Sequence, residues 1–267
     1  FFQSYWESVL RQNMIRVPQG CPTVEKAMAL AVVFSAQKVY TETDPLKIQL
    51  DQGVHEIVGY TDERGYPRTA VKVTCSHITF VGKGKHETTV RGGFRVENQQ
   101  NVKFEDLILT NPGGYGLRLH GSETNVDVLK CVVKECGNIG MAVYNGATVT
   151  ATQCEFMENG SFGVLCHGTN TKARLNDCTM HHNGQAGSNA YCDAVVDLHG
   201  TKTDIHSNKG HGIWADDRGK VNIHLPAQHN TSHDNDGQDR HQFDGGSIAN
   251  INAAGTFTHV PAAEEDF

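Results

Sequence analysis

Residues 141–167 read MAVYNGATVTATQCEFMENGSFGVLCH, and this stretch decides the fold. Met141 and Val143 alternate with Ala142 and Tyr144, Val149 and Ala151 alternate with polar neighbours, and Cys154 and Phe156 repeat the pattern. Asn159 and Gly163 follow, and the alternation restarts at Val164-Leu-Cys-His167. Successive side chains of a strand point to opposite faces, so each alternating pair marks a short strand with one face turned inward. A unit of about 24 residues with three such strands cannot bury its own apolar face and must stack on copies of itself as a solenoid.

The unit recurs along the chain. Glycine stands at 93, 116, 140, 163, 187, 212 and 237, at spacings of 23, 24, 23, 24, 25 and 25. The rows after these glycines begin Phe94-Arg-Val-Glu97, Leu117-Arg-Leu-His120, Ser188-Asn-Ala-Tyr191 and Ile213-Trp-Ala-Asp216, and Val71-Lys-Val-Thr74 and Ile48-Gln-Leu-Asp51 fit as earlier first-strand rows. A second strand supplies the inward pairs Val102/Phe104, Val126/Val128, Ala173/Leu175, Val196/Leu198 and Val221/Ile223, and a third supplies Leu107/Leu109, Cys131/Val133, Cys178/Met180 and Thr203/Ile205. In the outward column of the second strand, Lys103 with Asp127 and Arg174 with Asp197 are expected as surface pairs worth ~0–1 kcal/mol each.

Three cysteines, Cys131, Cys154 and Cys178, align in consecutive inward positions with no histidine or carboxylate beside them. They are read as small core hydrophobes and not as a thiolate metal ladder. Asn159, Asn183 and Asn208 stand four residues before their glycines, with Asn111 and Cys136 in the equivalent turns. Asparagine tolerates a left-handed backbone and can bond to the amide in the next rung, so these positions are read as an internal asparagine ladder.

On the period, the apolar pairs and the asparagine turns, the chain resembles the right-handed parallel β-helix, pectin-lyase-like superfamily. The expected fold is all-β: a single-stranded right-handed parallel β-helix over residues 46–260, of about eight to nine rungs of 23–25 residues. Residues 21–45 are expected to hold a capping α-helix, with Thr23 capping the apolar run 27–34 (AMALAVVF), and a linker. In this superfamily such a helix plugs the open N-terminal end. Residues 1–20 are expected to form a helical extension or the remnant of a preceding domain, and the run FFQSYWESVL resembles the last helix of an F-box. Residues 256–260 are read as a last strand and residues 261–267 as an acidic tail.

Composition narrows the partners. A net charge of −7 in 267 residues offers no basic stripe for a nucleic acid, and residues 27–34, the longest apolar run, are far short of a membrane span. Eight cysteines in a chain with ample core, no CxxC pair and no secretory signal are read as a cytoplasmic protein, expected to be a monomer. The first residue is Phe, which is read as a fragment or a processed product.

In this superfamily ligands lie along the exposed face of the first sheet. Its outward columns read Thr74, Glu97, His120, Tyr144, His167, Tyr191, Asp216 and Lys72, Arg95, Arg118, Ala142, Leu165, Asn189, Trp214. Arg95, Glu97, Arg118, His120, Tyr144, His167, Tyr191, Trp214 and Asp216 are therefore the candidate binding residues for an extended protein segment or polysaccharide. The reading adopted is a non-catalytic recognition scaffold without a cofactor. The alternative is a carbohydrate-active enzyme, a lyase, epimerase or hydrolase on acidic polysaccharide, with Asp193, Asp216, Asp217, His167 and Arg218 as the acid–base set. Only that alternative implies Ca²⁺. Gly210-His211-Gly212 and Asp216-Asp217 resemble fragments of the hydrolase motifs, but their order and spacing differ from that family's. Histidines 224, 229, 233 and 241 with Asp234, Asp236 and Asp239 are read as a polar turn, or as a divalent-metal loop through His229, His233 and Asp234. Asn159-Gly-Ser161 and Asn230-Thr-Ser232 match glycosylation sequons.

Overall fold

The alternating pairs do turn inward. In the computed structural model, which describes residues 2–61, 65, 67–224, 231–252, 254–255 and 257–258, the paired apolar residues of all three strands are buried along the length of the stack. The strands form three long sheets. The first holds Ala70–Val73, Gly93–Glu97, Leu117–His120, Met141–Tyr144, Val164–His167, Ser188–Tyr191, Ile213–Asp216 and Arg240–Gln242. The second runs from Met14–Val17 and Leu46–Leu50 to Ser247–Ile251, with Phe257–Thr258 added antiparallel at its end. The third runs from Gly53–Glu56 to Thr231–His233.

Seven turns place a strand in all three sheets, from the turn that starts at Ala70–Val73 to the one that starts at Ile213–Asp216. Partial turns flank them, Leu46–Leu50 with Gly53–Glu56 at one end and Arg240–Gln242 with Ser247–Ile251 at the other, so the complete turns are fewer than the eight to nine rungs expected. The row Ile48-Gln-Leu-Asp51 belongs to the second sheet, not the first, because Leu46–Leu50 pairs with Ile78–Val81. Met14–Val17 is a strand that the sequence reading leaves in a helical segment; it pairs residue for residue with Leu46–Leu50.

Two helices cover the N-terminal end. Thr23 accepts a hydrogen bond from Lys26 N at 3.3 Å and opens α2 (Val24–Ser35), which buries Val24, Ala27, Met28, Ala31 and Phe34. The first helix, α1 (Phe2–Gln12), packs on it: Val9 is buried, and the Trp6 ring lies 4.3 Å from that of Phe34. No helix among the described residues is long and apolar enough to cross a membrane. At the opposite end the inward column changes character, since Arg240 and Gln242 stand in register with Ile213 and Ala215.

The ladder is continuous over four rungs. Asn159 Nδ2 donates to Asn183 Oδ1, Asn183 Nδ2 to Asn208 Oδ1 and Asn208 Nδ2 to Asn235 Oδ1, each at 2.9 Å. Asn235 extends it beyond the positions read from sequence. The left-handed backbone falls on Glu158, His182, Ser207 and Asp234, the residues before the four ladder asparagines, and on Glu135 before Cys136, and not on the asparagines themselves. Burial of Asn159 in the ladder removes its sequon from solvent, and Asn230 lies outside the described residues.

The glycine period has a steric cause. A Cβ at Gly163 would stand 2.7 Å from Gly187 O and 2.9 Å from Asn183 Nδ2, and Gly140 and Gly187 face the same conflict with Asn159 and Asn208. Gly237 is not part of this series. It bonds to Gly210 O, whereas Asp239 occupies the place that pairs with Ile213, so the last spacing, 212 to 239, is 27 residues. Replacing Gly163 by Ala is expected to cost about 1–3 kcal/mol through overpacking, read as a lowered urea midpoint at unchanged m-value.

The three aligned cysteines are free and buried, and each thiol turns back onto backbone carbonyls, as Cys178 Sγ does to Asn176 O at 3.4 Å and Ala151 O at 3.5 Å. Burial pushes the Cys131 and Cys178 thiols well up. The two outward charge pairs are in register but take other partners. Lys103 Nζ pairs with Glu105 Oε2 at 3.1 Å, and Asp197 Oδ1 is taken by Asn222 and His224. Within one strand the i and i+2 side chains share a face, so Lys103 turns to Glu105 and Arg174 to Asn176, while Asp197 is taken by residues of the next rung.

Candidate functional site

The outward face of the first sheet keeps the register expected of it. Glu97, His120, Tyr144, His167, Tyr191 and Asp216 are successive partners, and so are Arg95, Arg118, Ala142, Leu165, Asn189 and Trp214. Parallel strands stand about 4.8 Å apart, so the two columns trace a trough along the solenoid. Its middle is floored by small or short side chains, with Ala142 and Asn189 buried.

One end of the trough is basic. A cleft of about 850 Å³ opens there, between the hairpin of Tyr60–Thr61 and Pro67–Arg68 and the turns at 111–115 and 137–138. Its lining includes four cationic side chains, Arg68, Lys72, Arg95 and Arg118, against one carboxylate, Glu97. Arg95 Nη2 donates to Glu97 Oε2 at 2.7 Å, and His120 Nδ1 lies 3.5 Å from Glu97 Oε1. Burial lowers Arg95, but the Tyr60 hydroxyl and the Glu97 carboxylate outweigh it and hold the guanidinium above its ordinary range. Arg118 lies 5.7 Å from the ring centres of both Tyr115 and Tyr144, and Lys72 Nζ lies 4.5 Å from that of Tyr60. Burial, followed by the neighbouring Tyr115, pushes the Tyr144 phenol well above its usual range, so it stays a neutral hydrogen-bonding group.

The other end is aromatic. Tyr144, His167 and Tyr191 follow one another with ring centres 5.7 and 5.1 Å apart. Beyond them Trp214 lies 5.1 Å from His211 and 5.6 Å from His241, with Phe162 at 6.1 Å. Five consecutive first-sheet strands, with Phe162 and His211 in the turns, therefore carry aromatic rings along this end of the sheet.

Of the proposed acid–base set, Asp193, Asp217 and Arg218 are brought into contact and Asp216 adjoins them, while His167 stands apart. Arg218 Nε and Nη2 bond to both oxygens of Asp193 at 3.0 and 3.1 Å, and its Nη1 lies 2.6 Å from Asp217 Oδ1. These three residues occupy left-handed turn positions just after the first-sheet strands Ser188–Tyr191 and Ile213–Asp216. The Arg218 hydrogen bonds hold the Asp193 carboxyl below its usual range. Asp216 remains on the strand and accepts from Asp217 N at 2.7 Å, and it stands two strands from His167, with Tyr191 between. The Arg218 guanidinium thus lies between the Asp193 and Asp217 carboxylates.

The histidine-rich segment disperses over three faces, because each of its strands enters a different sheet. His224 ends a second-sheet strand and His233 a third-sheet strand, while His241 lies in the first sheet stacked 4.0 Å from His211. His233 gives one ring nitrogen to Asp234 at 2.8 Å and the other to Asp204 at 3.1 Å, and these contacts raise its pKa. With both ring nitrogens facing carboxylates, His233 presents neither of them to the rest of the segment. His229 lies outside the described residues. Sequence reasoning missed Tyr60, Arg68, Lys72 and Tyr115 of the cleft. Lys72 was visible in the outward column, but Tyr60 and Arg68 sit on a short hairpin outside the repeat and Tyr115 in a turn, and none of the three carries a periodic signal.

The family model for the right handed beta helix region matches residues 66–255. The chain belongs to this family. No curated protein matches the sequence of this right-handed β-helix chain. Among solved structures it is similar to ORF18 of Geobacillus virus E2, at 12% identity and a TM-score of 0.55, over 92% of this chain and 62% of that one. It is also similar to tailspike protein 2 from the Escherichia coli O157:H7 bacteriophage CAB120, at 8% identity and a TM-score of 0.51, over 78% and 35%. Pectate lyase Pel9A matches at 12% identity and a TM-score of 0.45, over 72% and 63%. The β-helix chain thus spans less than two thirds of the length of each, and at these identities the likeness concerns the fold alone.

Proposed function

We propose that the chain is a binding scaffold for an acidic polysaccharide, held along the first-sheet trough without being cleaved. The observation that carries this reading is the contrast in charge. A chain with a net charge of −7 gathers Arg68, Lys72, Arg95 and Arg118 around one cleft, and such concentration focuses a positive potential where a low-dielectric wall supports it. Guanidinium groups match carboxylates in a planar, two-bonded geometry. The run from Tyr144 to Trp214 supports a repeating ligand further along, since sugar rings have apolar faces that lie on aromatic side chains. An acidic peptide could fill the basic cleft, but it has no regular apolar face to match that run. The engagement of Asp193 and Asp217 by Arg218 argues against an acid–base pair there.

A binding panel tests the proposal. Wild-type protein titrated with a polyuronate, a sulfated glycan, a neutral glucan and polyglutamate is expected to bind the polyuronate most tightly and more weakly as salt rises, because surface charge is screened. Equal or tighter binding to polyglutamate, or none to either acidic glycan, refutes it. Release of unsaturated or reducing ends from the bound glycan, abolished by Asp216→Ala, would replace scaffold with enzyme.

A further inference from the structure

The second sheet carries an arrangement that the trough does not explain. Asp197 and His199 are two residues apart on the strand Val195–His199 and so share its outward face. His224 ends the next strand, Lys220–His224, two residues after Asn222, the register partner of Asp197. The His199 and His224 rings are stacked with centres 3.8 Å apart at 13°. His224 Nε2 lies 3.1 Å from Asp197 Oδ1, which also accepts from Asn222 Nδ2 at 2.9 Å. No hydrogen bond is made by the His199 ring to any described residue. One donor atom from each of Asp197, His199 and His224 lies within 4.8 Å of the other two, and all three side chains are half-buried.

We propose that Asp197, His199 and His224 form a site for a divalent transition-metal ion on the outer face of the second sheet, separate from the polysaccharide trough. Two imidazoles and a carboxylate are the donor set of Zn²⁺ and its neighbours, whereas Ca²⁺ and Mg²⁺ take oxygen ligands. Metal–nitrogen bonds of about 2.0–2.1 Å place the ligand atoms of a tetrahedral site about 3.3 Å apart, so the side chains converge by rotation while the strands stay in place. Coordination requires the His224 ring to exchange its contact with Asp197 for the metal. The fourth position is left to water. Asn222 stays on the carboxylate as the outer partner that orients it, a role such groups take in metal sites. A rung-to-rung metal bridge also ties two consecutive turns together, so binding adds to the stability of this end of the solenoid.

The test is titration of the full chain with Zn²⁺ alone, followed by calorimetry. One equivalent is expected to bind with micromolar affinity, weakened at least 30-fold in both His199→Gln and His224→Gln and about 10-fold in Asp197→Asn, and unchanged in His206→Gln. Anomalous scattering from Zn²⁺-soaked crystals of the unaltered protein locates the ion without relying on any variant, and a peak between the three side chains is expected. No saturable binding below millimolar, full binding in His199→Gln, loss in His206→Gln instead, or a peak at another histidine cluster overturns the proposal.

Discussion

Replacing Asn183 by Ala is expected to lower the stability of the chain by about 3–5 kcal/mol, a larger loss than that expected for Gly163→Ala. Its Oδ1 accepts from both Asn159 N, at 3.2 Å, and Asn159 Nδ2, and its Nδ2 donates to Phe156 O and Asn208 Oδ1. The side chain is fully buried, so no water replaces what the truncation removes. Asn159 N–H and Phe156 O would each be left without that partner, and an orphaned buried group costs far more than the hydrogen bond is worth in isolation. Asn111→Ala should cost less. Its amide bonds within its own turn and to Thr69, and no asparagine stands above it because Cys136 interrupts the column. Urea denaturation of the two variants side by side measures the difference; equal losses would show that the continuity of the ladder contributes nothing.

Arg118→Ala is expected to weaken binding of an oligouronate by about 30- to 150-fold, the ratio for removing a charge-assisted hydrogen bond of about 2–3 kcal/mol. The residue stands on the floor of the basic cleft, held between the Tyr115 and Tyr144 rings. Thermal stability should change little, since no described carboxylate depends on it. Arg118→Lys should recover only part of the affinity, because an ammonium cannot make the planar pair of bonds. Titration calorimetry at low salt reads all three proteins, and an affinity unchanged in Arg118→Ala would remove the cleft from the binding surface.

What could be read from the sequence followed directly from periodicity. Columns such as Val149/Ala151 and Cys154/Phe156 declared their direction because a strand repeats every two residues and a rung every 23–25, and those two periods fix both face and neighbour. The asparagines were visible for the same reason. Features that break the period were not. Asn235 was hidden because its turn is longer, which shifted the apparent glycine to Gly237. Met14–Val17 is a strand without a repeat unit, and the Tyr60–Arg68 hairpin that walls the cleft interrupts the rung. Side-chain partners were illegible too. Lys103 and Arg174 have several acceptors within reach, and which one wins depends on rotamers that spacing does not encode.

The polar column at the last turn bears on how long such an object can grow. Each end of a parallel solenoid is an open row of backbone donors and acceptors above an exposed apolar interior, a template on which another copy could add. Helix α2 covers one end; at the other, Arg240 and Gln242 stand where the earlier turns carry aliphatic side chains, and Phe257–Thr258 crosses antiparallel to its neighbour. A parallel strand added beside Arg240–Gln242 would have to cover a guanidinium and an amide where each earlier rung covers an apolar or small pair, so this strand is a poorer template than those before it.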